Sequence, residues 1–187
     1  MAQPESPDLT EHTLSSETVF AGDLLRVHRD AVRTPGGKSA REWVQHVGAA
    51  ATVPLLADGT TVLVRQYRYP ARREFVEVPA GKLDAGETPE ASAARELGEE
   101  VGLVARTWTK LGVTYPTVGY SDEVIHLFLA EDVEETEARP DEGEHVVAVR
   151  MPFAEAVERA RSGGFDDAKT ALALLLADAV IAARGAD

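Results

Sequence analysis

The chain has 187 residues, of which 44% are hydrophobic and 27% are charged, a composition that allows one domain with a sizeable core. Its net charge of −13 argues against nucleic acids and anionic membranes as partners, because the field of the protein would repel their phosphates. The absence of cysteine excludes disulfides, thiolate metal sites and cysteine nucleophiles.

The start of the chain contains neither a basic segment nor an apolar stretch, so it does not predict a signal peptide. The longest apolar run, residues 171–177, is far shorter than the ~20 residues that a membrane-spanning helix needs. We therefore expect a soluble protein of the cytoplasm. A small anionic substrate would need bound divalent cations or clustered arginines to offset the negative charge.

The N-terminal part of the chain is expected to form a small region of its own. Residues 1–16 are polar and contain Pro4 and Pro7, which favours a mobile arm. Between residues 19 and 47, apolar and polar residues alternate on either side of the turn sequence TPGGK, which predicts two antiparallel strands. We expect an antiparallel β region at residues 17–47, followed by the main domain at 48–187.

The main domain is predicted to mix strands and helices. The segments AAATVPLL and TVLVRQYRY flank Asp58-Gly59, a strong turn signal, and predict a second hairpin. A short strand, EFVEV, precedes a glycine-rich loop. Further strands are expected around residues 108–114, 124–130 and 146–151, helices at FAEAVERARSG and AKTALALLLADAVIAA, and an acidic linker at 130–145. This order predicts an α/β sandwich on a mixed sheet.

One helix is predicted from both of its ends. Thr88 is a suitable N-cap, Pro89 suits the first helical position, and Gly102 suits the residue past the end. On a helical wheel, Glu96, Glu99 and Glu100 share one face, which is expected to point outward. The opposite face, expected to pack on the sheet, carries Ala91, Ala94, Leu97 and Val101.

The acidic face is unfavourable for an isolated helix, because like charges at these spacings repel by ~0.2–0.5 kcal/mol per pair. The same carboxylates suit Mg²⁺, a hard cation that prefers oxygen ligands and meets substrate phosphates at such sites. Arg95 lies one turn before Glu99 and could hold its carboxylate, with Glu87 as another partner. The alternative interpretation is a merely solvated acidic helix.

The segment GKLDAGETPEASAARELGEEVGL resembles the Nudix box: glycine, five residues, glutamate, seven residues, then R-E-U-x-E-E-x-G-U with U aliphatic. A chance match in a chain of this length is on the order of one in 10⁷. Every specified position matches: Gly81, Glu87, Arg95, Glu96, Leu97, Glu99, Glu100, Gly102 and Leu103. The resemblance implies a Nudix-type α/β/α sandwich that hydrolyses a nucleoside diphosphate linked to another group.

The resemblance also implies a role for each box residue. It identifies Glu96, Glu99 and Glu100 as ligands of Mg²⁺, with Mn²⁺ as the alternative ion, and the Ala80 carbonyl as a further ligand. Arg95 and Glu99 also belong to the catalytic set that it implies.

Outside the box, VRQYRYP and EFVEVPAGKLDAGE resemble the ADP-ribose pyrophosphatase branch of the family, which includes nucleoside diphosphate sugar hydrolases. This resemblance implies that Arg68 approaches the substrate phosphates; the alternative is a strand-end arginine paired with a surface carboxylate. It implies that Arg41 and Glu42 reach toward the nucleoside, often from a partner subunit. Members of the branch form homodimers through exchanged N-terminal strands.

The branch usually has a proline in the loop beyond the box where this chain has Val118, whereas Glu123 matches a glutamate near the ribose or metal. In the branch, the catalytic base comes from a loop before the last strand. The resemblance therefore implies that Glu142 or Glu144 is the base, and that Glu144 is a metal ligand. Mobility of that loop would suit a lid.

The expected reaction is Mg²⁺-dependent hydrolysis of ADP-ribose to AMP and ribose 5-phosphate. The alternatives are a hydrolase of several nucleoside diphosphate sugars and, from a different class, a non-catalytic nucleotide sensor.

Overall fold

The computed structural model describes residues 7–140, 143 and 145–185. The chain forms two compact units: the first comprises Met1–His46 and Thr117–Glu123, and the second Val47–Pro116 and Val124–Asp187. No helix in the described part of the chain is long and apolar enough to cross a membrane.

The first unit is built on an antiparallel sheet of three strands in chain order: β1 (His12–Ala21), β2 (Arg26–Thr34) and β3 (Gly37–Gln45). The predicted turn between β2 and β3 is present, and Gly37 adopts a φ of +124° there. Strand β1 pairs with β2 from His12 onward. Residues 12–16, expected in the arm, therefore belong to a strand, because pairing with β2 satisfies their backbone groups.

Strand β1 is exposed along its whole length, and in the first unit the buried residues of the sheet lie on β2. The segment 117–123 lies along β3: the Val44 amide donates to the Tyr120 carbonyl at 2.8 Å, and the Ser121 hydroxyl donates to the Val44 carbonyl. The His46 amide donates to the Asp122 carboxylate at 2.7 Å.

The described residues of the second unit form two sheets, three α-helices and a short 3₁₀ helix (Tyr69–Ala71). One sheet has the strand order β7 (Ala80–Lys82), β4 (Ala49–Pro54), β9 (Ile125–Glu135), β8 (Leu103–Thr114), and the other β10 (Val146–Pro152), β5 (Thr60–Arg68), β6 (Arg73–Glu77). The helices are α1 (Pro89–Val101), α2 (Phe153–Arg161) and α3 (Ala168–Arg184). Strands β4 and β9 are parallel and the other pairs are antiparallel, so the first sheet is mixed.

Strand β4 lies between two helical layers. Successive side chains of a strand point to opposite faces of its sheet, so alternate residues of β4 pack against different helices. Ala51 and Val53 pack in a core cluster that includes Leu174 of α3. Ala50 packs in a cluster that includes Ala93 of α1. All residues of β4 are buried. The predicted α/β/α sandwich on a mixed sheet is thereby confirmed.

The hairpin predicted at Asp58-Gly59 is wrong, although the turn itself is present with Gly59 at a φ of +78°. Strand β4 pairs with β7 and β9, whereas β5 pairs with β6 and β10, so the turn connects two different sheets. A strand that is apolar on both faces belongs at the centre of a covered sheet.

The acidic linker predicted at 130–145 is also shorter than expected. Strand β9 continues to Glu135 and pairs with β8, where Leu103 lies opposite Glu135. The charged side chains of β9 lie on its more exposed positions, so the backbone pairs while the carboxylates stay near water.

Helix α1 has the predicted ends. The Thr88 hydroxyl accepts from the Ala91 amide at 3.2 Å, and Gly102 adopts the left-handed conformation with φ +63°. The predicted orientation of its acidic face is wrong for Glu96 and Glu100, which are buried. Of the residues expected to pack inward, Leu97 is buried, whereas Ala91 and Ala94 are exposed. The buried carboxylates find polar partners, described below, that a helical wheel does not show.

Gly102 closes α1 at a position that excludes a side chain. A Cβ there would lie 2.6 Å from the Thr136 carbonyl oxygen and 2.7 Å from the Ala138 nitrogen. We expect Gly102→Ala to lower the free energy of unfolding by at least ~1–2 kcal/mol, because a left-handed φ alone costs an L-residue that much. Urea denaturation followed by circular dichroism measures this change.

Gly98→Ala is the matched control, since a Cβ at Gly98 in the same helix would meet only the Leu103 carbonyl, at 3.9 Å. We expect it to raise stability by up to about 1 kcal/mol through helix propensity. Equal destabilisation by the two substitutions would contradict this account of the helix end.

Candidate active site

Arg95 on α1 gathers the carboxylates of the box. Its Nε and Nη2 donate to Glu87 at 3.1 and 3.0 Å, and its Nη1 donates to Glu96 at 2.7 Å and to Glu99 at 2.9 Å. Its Nη2 also donates to the Lys82 carbonyl at 3.0 Å. The expected contact between Arg95 and Glu99 is therefore present, and so is that with Glu87.

These contacts change the acidity of the groups that make them. The hydrogen bonds to Glu87 first, and then those to Glu96 and Glu99, raise the pKa of Arg95 above its ordinary value against the opposing effect of partial burial. The hydrogen bond from Arg95 in turn lowers the pKa of Glu87. The Arg95 guanidinium and the Glu87 carboxylate thus each favour the charged form of the other.

Glu100 points toward strand β7 and accepts a hydrogen bond from the Ala80 amide at 2.9 Å. Glu100 is 5% exposed and Glu96 is 9% exposed. A Cβ on Gly81 would overlap the Glu96 carboxylate. The box glycine therefore provides the space in which a glutamate carboxylate lies against the β7 backbone.

This site fits a divalent cation in its chemistry. The carboxylates of Glu96, Glu99 and Glu100 and the Ala80 carbonyl are hard oxygen donors of the kind that Mg²⁺ prefers, and the cradle at Gly81 brings one of them against the backbone. Within the described residues, no three acidic or histidine side chains converge as a ready ligand set. Glu96 and Glu99 both accept a hydrogen bond from Nη1 of Arg95.

Arg68, at the end of β5, forms an ion pair that neither interpretation of the sequence described. Its Nε and Nη2 each donate to Glu77 at 2.8 Å, and Glu77 on β6 is buried rather than on the surface. The hydrogen bonds to Glu77 raise the pKa of Arg68, and the negative charges of Glu77, Glu100 and Asp167 add to this effect. Arg68 therefore lies within the field of a box carboxylate.

Two charged residues near Arg68, Glu77 and Lys169, were not identified as candidates from the sequence. The ammonium group of Lys169 donates one hydrogen bond to Glu77 and another, at 2.9 Å, to Asp167. Asp167 also caps α3 by accepting from the Thr170 amide and hydroxyl. Glu77 is one residue in the alternation of a short strand, and Lys169 lies 92 residues away, so no local signal connects them.

In the first unit, Arg41 and Glu42 are neighbours on β3 but have different partners. Arg41 donates to Glu11 at 2.5 and 2.8 Å, and Glu42 accepts from Arg29 at 2.8 and 3.1 Å. Adjacent strand residues point to opposite faces, so the two side chains are not brought together. Glu123 lies 3.9 Å from the His46 ring.

Glu142 and Glu144 lie outside the described residues. The chain that leads toward them is attached to α1: the Thr136 amide donates to the Gly102 carbonyl at 2.7 Å, and the Arg139 amide donates to the Glu99 carbonyl at 2.9 Å. This segment and α1 line an open cavity of about 490 Å³, whose wall includes Arg95 and Glu99.

The comparisons with known proteins agree with this geometry. Residues 45–173 match the Nudix domain family, and residues 11–44 match the nucleoside diphosphate sugar hydrolase N-terminal domain. The chain therefore belongs to the Nudix family, as the resemblance of its box implied, and it is an enzyme of the hydrolase class.

Individual relatives cover nearly the whole chain. An ADP-ribose pyrophosphatase of Bacillus subtilis is 40% identical over 89% of this chain and 91% of its own length. A GDP-mannose pyrophosphatase of Cronobacter sakazakii is 35% identical over 89% of this chain and 92% of its own length. A solved structure described as an ADP compounds hydrolase, 25% identical, superposes with a TM-score of 0.83 over 96% of this chain and 99% of that one.

The assignment of Glu100 as a metal ligand predicts that Glu100→Gln lowers turnover by at least about 100-fold, because a ligand charge is lost. Stability should change little, since the amide oxygen of glutamine still accepts from the Ala80 amide. Steady-state rates at saturating Mg²⁺ and thermal unfolding measure the two effects. Glu90→Gln, an exposed residue of the same helix, is the control and should keep full activity; full turnover by Glu100→Gln would refute the assignment.

The Glu77 pair predicts a pH dependence of stability. Burial by itself raises the pKa of Glu77, but the hydrogen bonds and charges of Arg68 and Lys169 outweigh it and hold the pKa below its ordinary value. Such a carboxylate stabilises the fold above its unfolded pKa of about 4.3, and this stabilisation is lost as the pH falls through the folded pKa.

We therefore expect the stability difference between the wild type and Glu77→Gln to be constant above about pH 6 and to shrink below about pH 4. Urea titrations at several pH values measure it. The control is Glu74→Gln. Glu74 lies on β6, as Glu77 does, and forms an exposed ion pair with Arg65 of β5. The stability of this variant should differ little from that of the wild type at every pH. A difference for Glu77→Gln that grows toward acid pH would contradict the prediction.

Proposed function

We propose that this protein hydrolyses ADP-ribose to AMP and ribose 5-phosphate with Mg²⁺, or Mn²⁺, as the required ion. The observation that carries the proposal is the arrangement of the box on α1, where Arg95 gathers Glu87, Glu96 and Glu99 while Glu100 faces the Ala80 backbone. The Bacillus subtilis relative, an ADP-ribose pyrophosphatase, supports the choice of substrate.

Each group in the second unit has a role in the proposed reaction. Glu96, Glu99, Glu100 and the Ala80 carbonyl would hold the divalent cation. When bound, the cation supplies neutralisation of the charge that develops on the diphosphate and orientation for the attacking water. Arg95 keeps the glutamates of the box in place, and Arg68 offers a guanidinium to a substrate phosphate oxygen.

The attacking water adds to one phosphorus of the pyrophosphate bridge, and its proton passes to a base. The bond from that phosphorus to the bridging oxygen breaks, and the other phosphate leaves with the bridging oxygen, so that AMP and ribose 5-phosphate are released. Glu142 or Glu144 stays the predicted base, and Glu144 a predicted metal ligand, by resemblance to the family. The box glutamates accept hydrogen bonds from Arg95 and from the β7 backbone, so they are suited to holding the cation rather than to taking up this proton.

The first unit is proposed to bind the nucleoside and to form a homodimer. Arg41, Glu42 and Glu123 are the proposed nucleoside contacts. Strand β1 presents Leu14, Val19 and Phe20 to solvent, and a second copy of the chain would cover such apolar side chains. Sedimentation equilibrium tests the dimer, which the mass of a single chain would contradict.

A hydrolase of several nucleoside diphosphate sugars is the second candidate. The relative named as a GDP-mannose pyrophosphatase favours it, and so does Val118, which stands where the ADP-ribose branch usually has proline and is highly exposed. The intact set of box glutamates argues against a non-catalytic sensor. The cytoplasmic location and the absence of nucleic-acid and membrane partners remain predictions from the sequence.

A panel of ADP-ribose, ADP-sugars, UDP-sugars and GDP-mannose, each incubated with the protein and Mg²⁺, separates these candidates. We expect ADP-ribose to give the highest kcat/KM and chromatography to resolve AMP and ribose 5-phosphate as products. A chelator should abolish turnover, and added Mg²⁺ should restore it. Faster cleavage of GDP-mannose would favour the second candidate, and binding without cleavage of any compound would favour the sensor.

A further inference from the structure

Glu77 is a charged residue that the proposed reaction does not use, and yet it is 2% exposed. A carboxylate buried to this degree is costly unless cations and hydrogen bonds compensate it. Arg68 and Lys169 both donate to it, Arg68 from β5 and Lys169 from the first turn of α3. Glu77 therefore has two cationic partners, and only Arg68 is proposed to contact substrate.

In the ion pair between Arg68 and Glu77, one edge of the Arg68 guanidinium does not face the Glu77 carboxylate. The two bonds to Glu77 use Nε and Nη2, so the fork fixes the plane of the guanidinium, and Nη1 takes no part in the fork. The Glu100 carboxylate also acts on Arg68. Glu77 thus fixes the orientation of Arg68 within the field of Glu100, a proposed ligand of the cation.

Lys169 is less exposed than Arg68: 12% of its side chain is accessible, against 43% for Arg68. Asp167, the N-cap of α3, also accepts from Lys169 and so holds its ammonium beside Glu77. If Arg68 turned from Glu77 toward a phosphate, Lys169 would still neutralise the buried carboxylate. Without Lys169, Arg68 would be its remaining cationic partner among these contacts, and moving Arg68 would leave a buried charge unpaired.

We propose that Glu77 and Lys169 are positioning residues for Arg68: Glu77 orients the guanidinium toward the substrate phosphates, and Lys169 keeps the Glu77 carboxylate neutralised while Arg68 contacts them. This inference rests on the proposed function, because it concerns the binding of the same diphosphate. The competing explanation is structural, since the pair of Lys169 with Glu77 also attaches α3 to β6.

The first test is a double-mutant cycle in kcat/KM between Glu77→Gln and Arg68→Ala. Glutamine keeps polar atoms at position 77, and Arg68→Ala leaves Glu77 its pair with Lys169, so both variants should fold. We expect Glu77→Gln to lower kcat/KM about tenfold, mainly through KM, and to change it less than about twofold when Arg68 is already alanine. An equal loss in both backgrounds would show that Glu77 acts independently of Arg68 and would overturn the proposal.

The second test replaces Lys169. We expect Lys169→Met to raise KM several-fold, Lys169→Arg to restore it, and Lys169→Met to have no further effect in a Glu77→Gln background. Arg73→Met is the matched control, because it removes the exposed Arg73–Asp166 pair between β6 and the segment before α3. A loss of thermal stability by Lys169→Met with KM unchanged would establish the structural explanation instead.

A substrate-independent measurement separates failure of this inference from failure of the proposed function. Hydrogen exchange of the Arg68 Nε–H, followed by NMR in the free protein, should be slow in the wild type and faster in Glu77→Gln. Equal exchange rates would overturn the positioning role whatever the substrate. A wild type with slow exchange that cleaves nothing in the substrate panel would refute the proposed function and confine the role of Glu77 to orienting Arg68.

Discussion

The site depends on one constraint: several carboxylates must lie close together in a partly buried position. Arg95 meets much of this constraint, because its planar guanidinium presents donors in a fixed fork and can serve several carboxylates at once. A lysine at this position would offer a single ammonium with no fixed plane. The spacing from Glu87 to Arg95 and on to Glu99 therefore reflects the reach of one side chain along a capped helix.

The orientation of helix α1 follows from the same constraint. Glu96 and Glu100 lie inward because the β7 strand supplies a backbone amide at Ala80 and a glycine without a side chain at position 81. Leu97, which lies between Glu96 and Glu100 in the chain, is also buried and packs in a hydrophobic cluster with Leu103. One face of the helix thus provides both packing and oxygen donors, and the mixed sheet below positions both.

The second unit compensates buried negative charge in two different ways. At the box, one arginine serves several carboxylates, whose oxygen atoms are donors of the kind that a divalent cation prefers. At Glu77, two cations serve one carboxylate, an arrangement that underlies the proposed contact of Arg68 with a phosphate. The two sites are neighbours in electrostatic terms, since Glu100 acts on Arg68. A diphosphate would meet a cation held by the first and a guanidinium held by the second.

The features that could be predicted correctly from the sequence are those that depend on nearby residues. The N-cap at Thr88, the left-handed end at Gly102, the turn at Gly59 and the spacing of the box all follow from backbone sterics and helical geometry over a few residues. Tertiary structure decided which sheet receives β4 and β5, which way the box glutamates face, and which carboxylate holds Arg68. These outcomes depend on partners far apart in the chain, such as Glu77 and Lys169, and a periodic pattern along one segment contains no information about them.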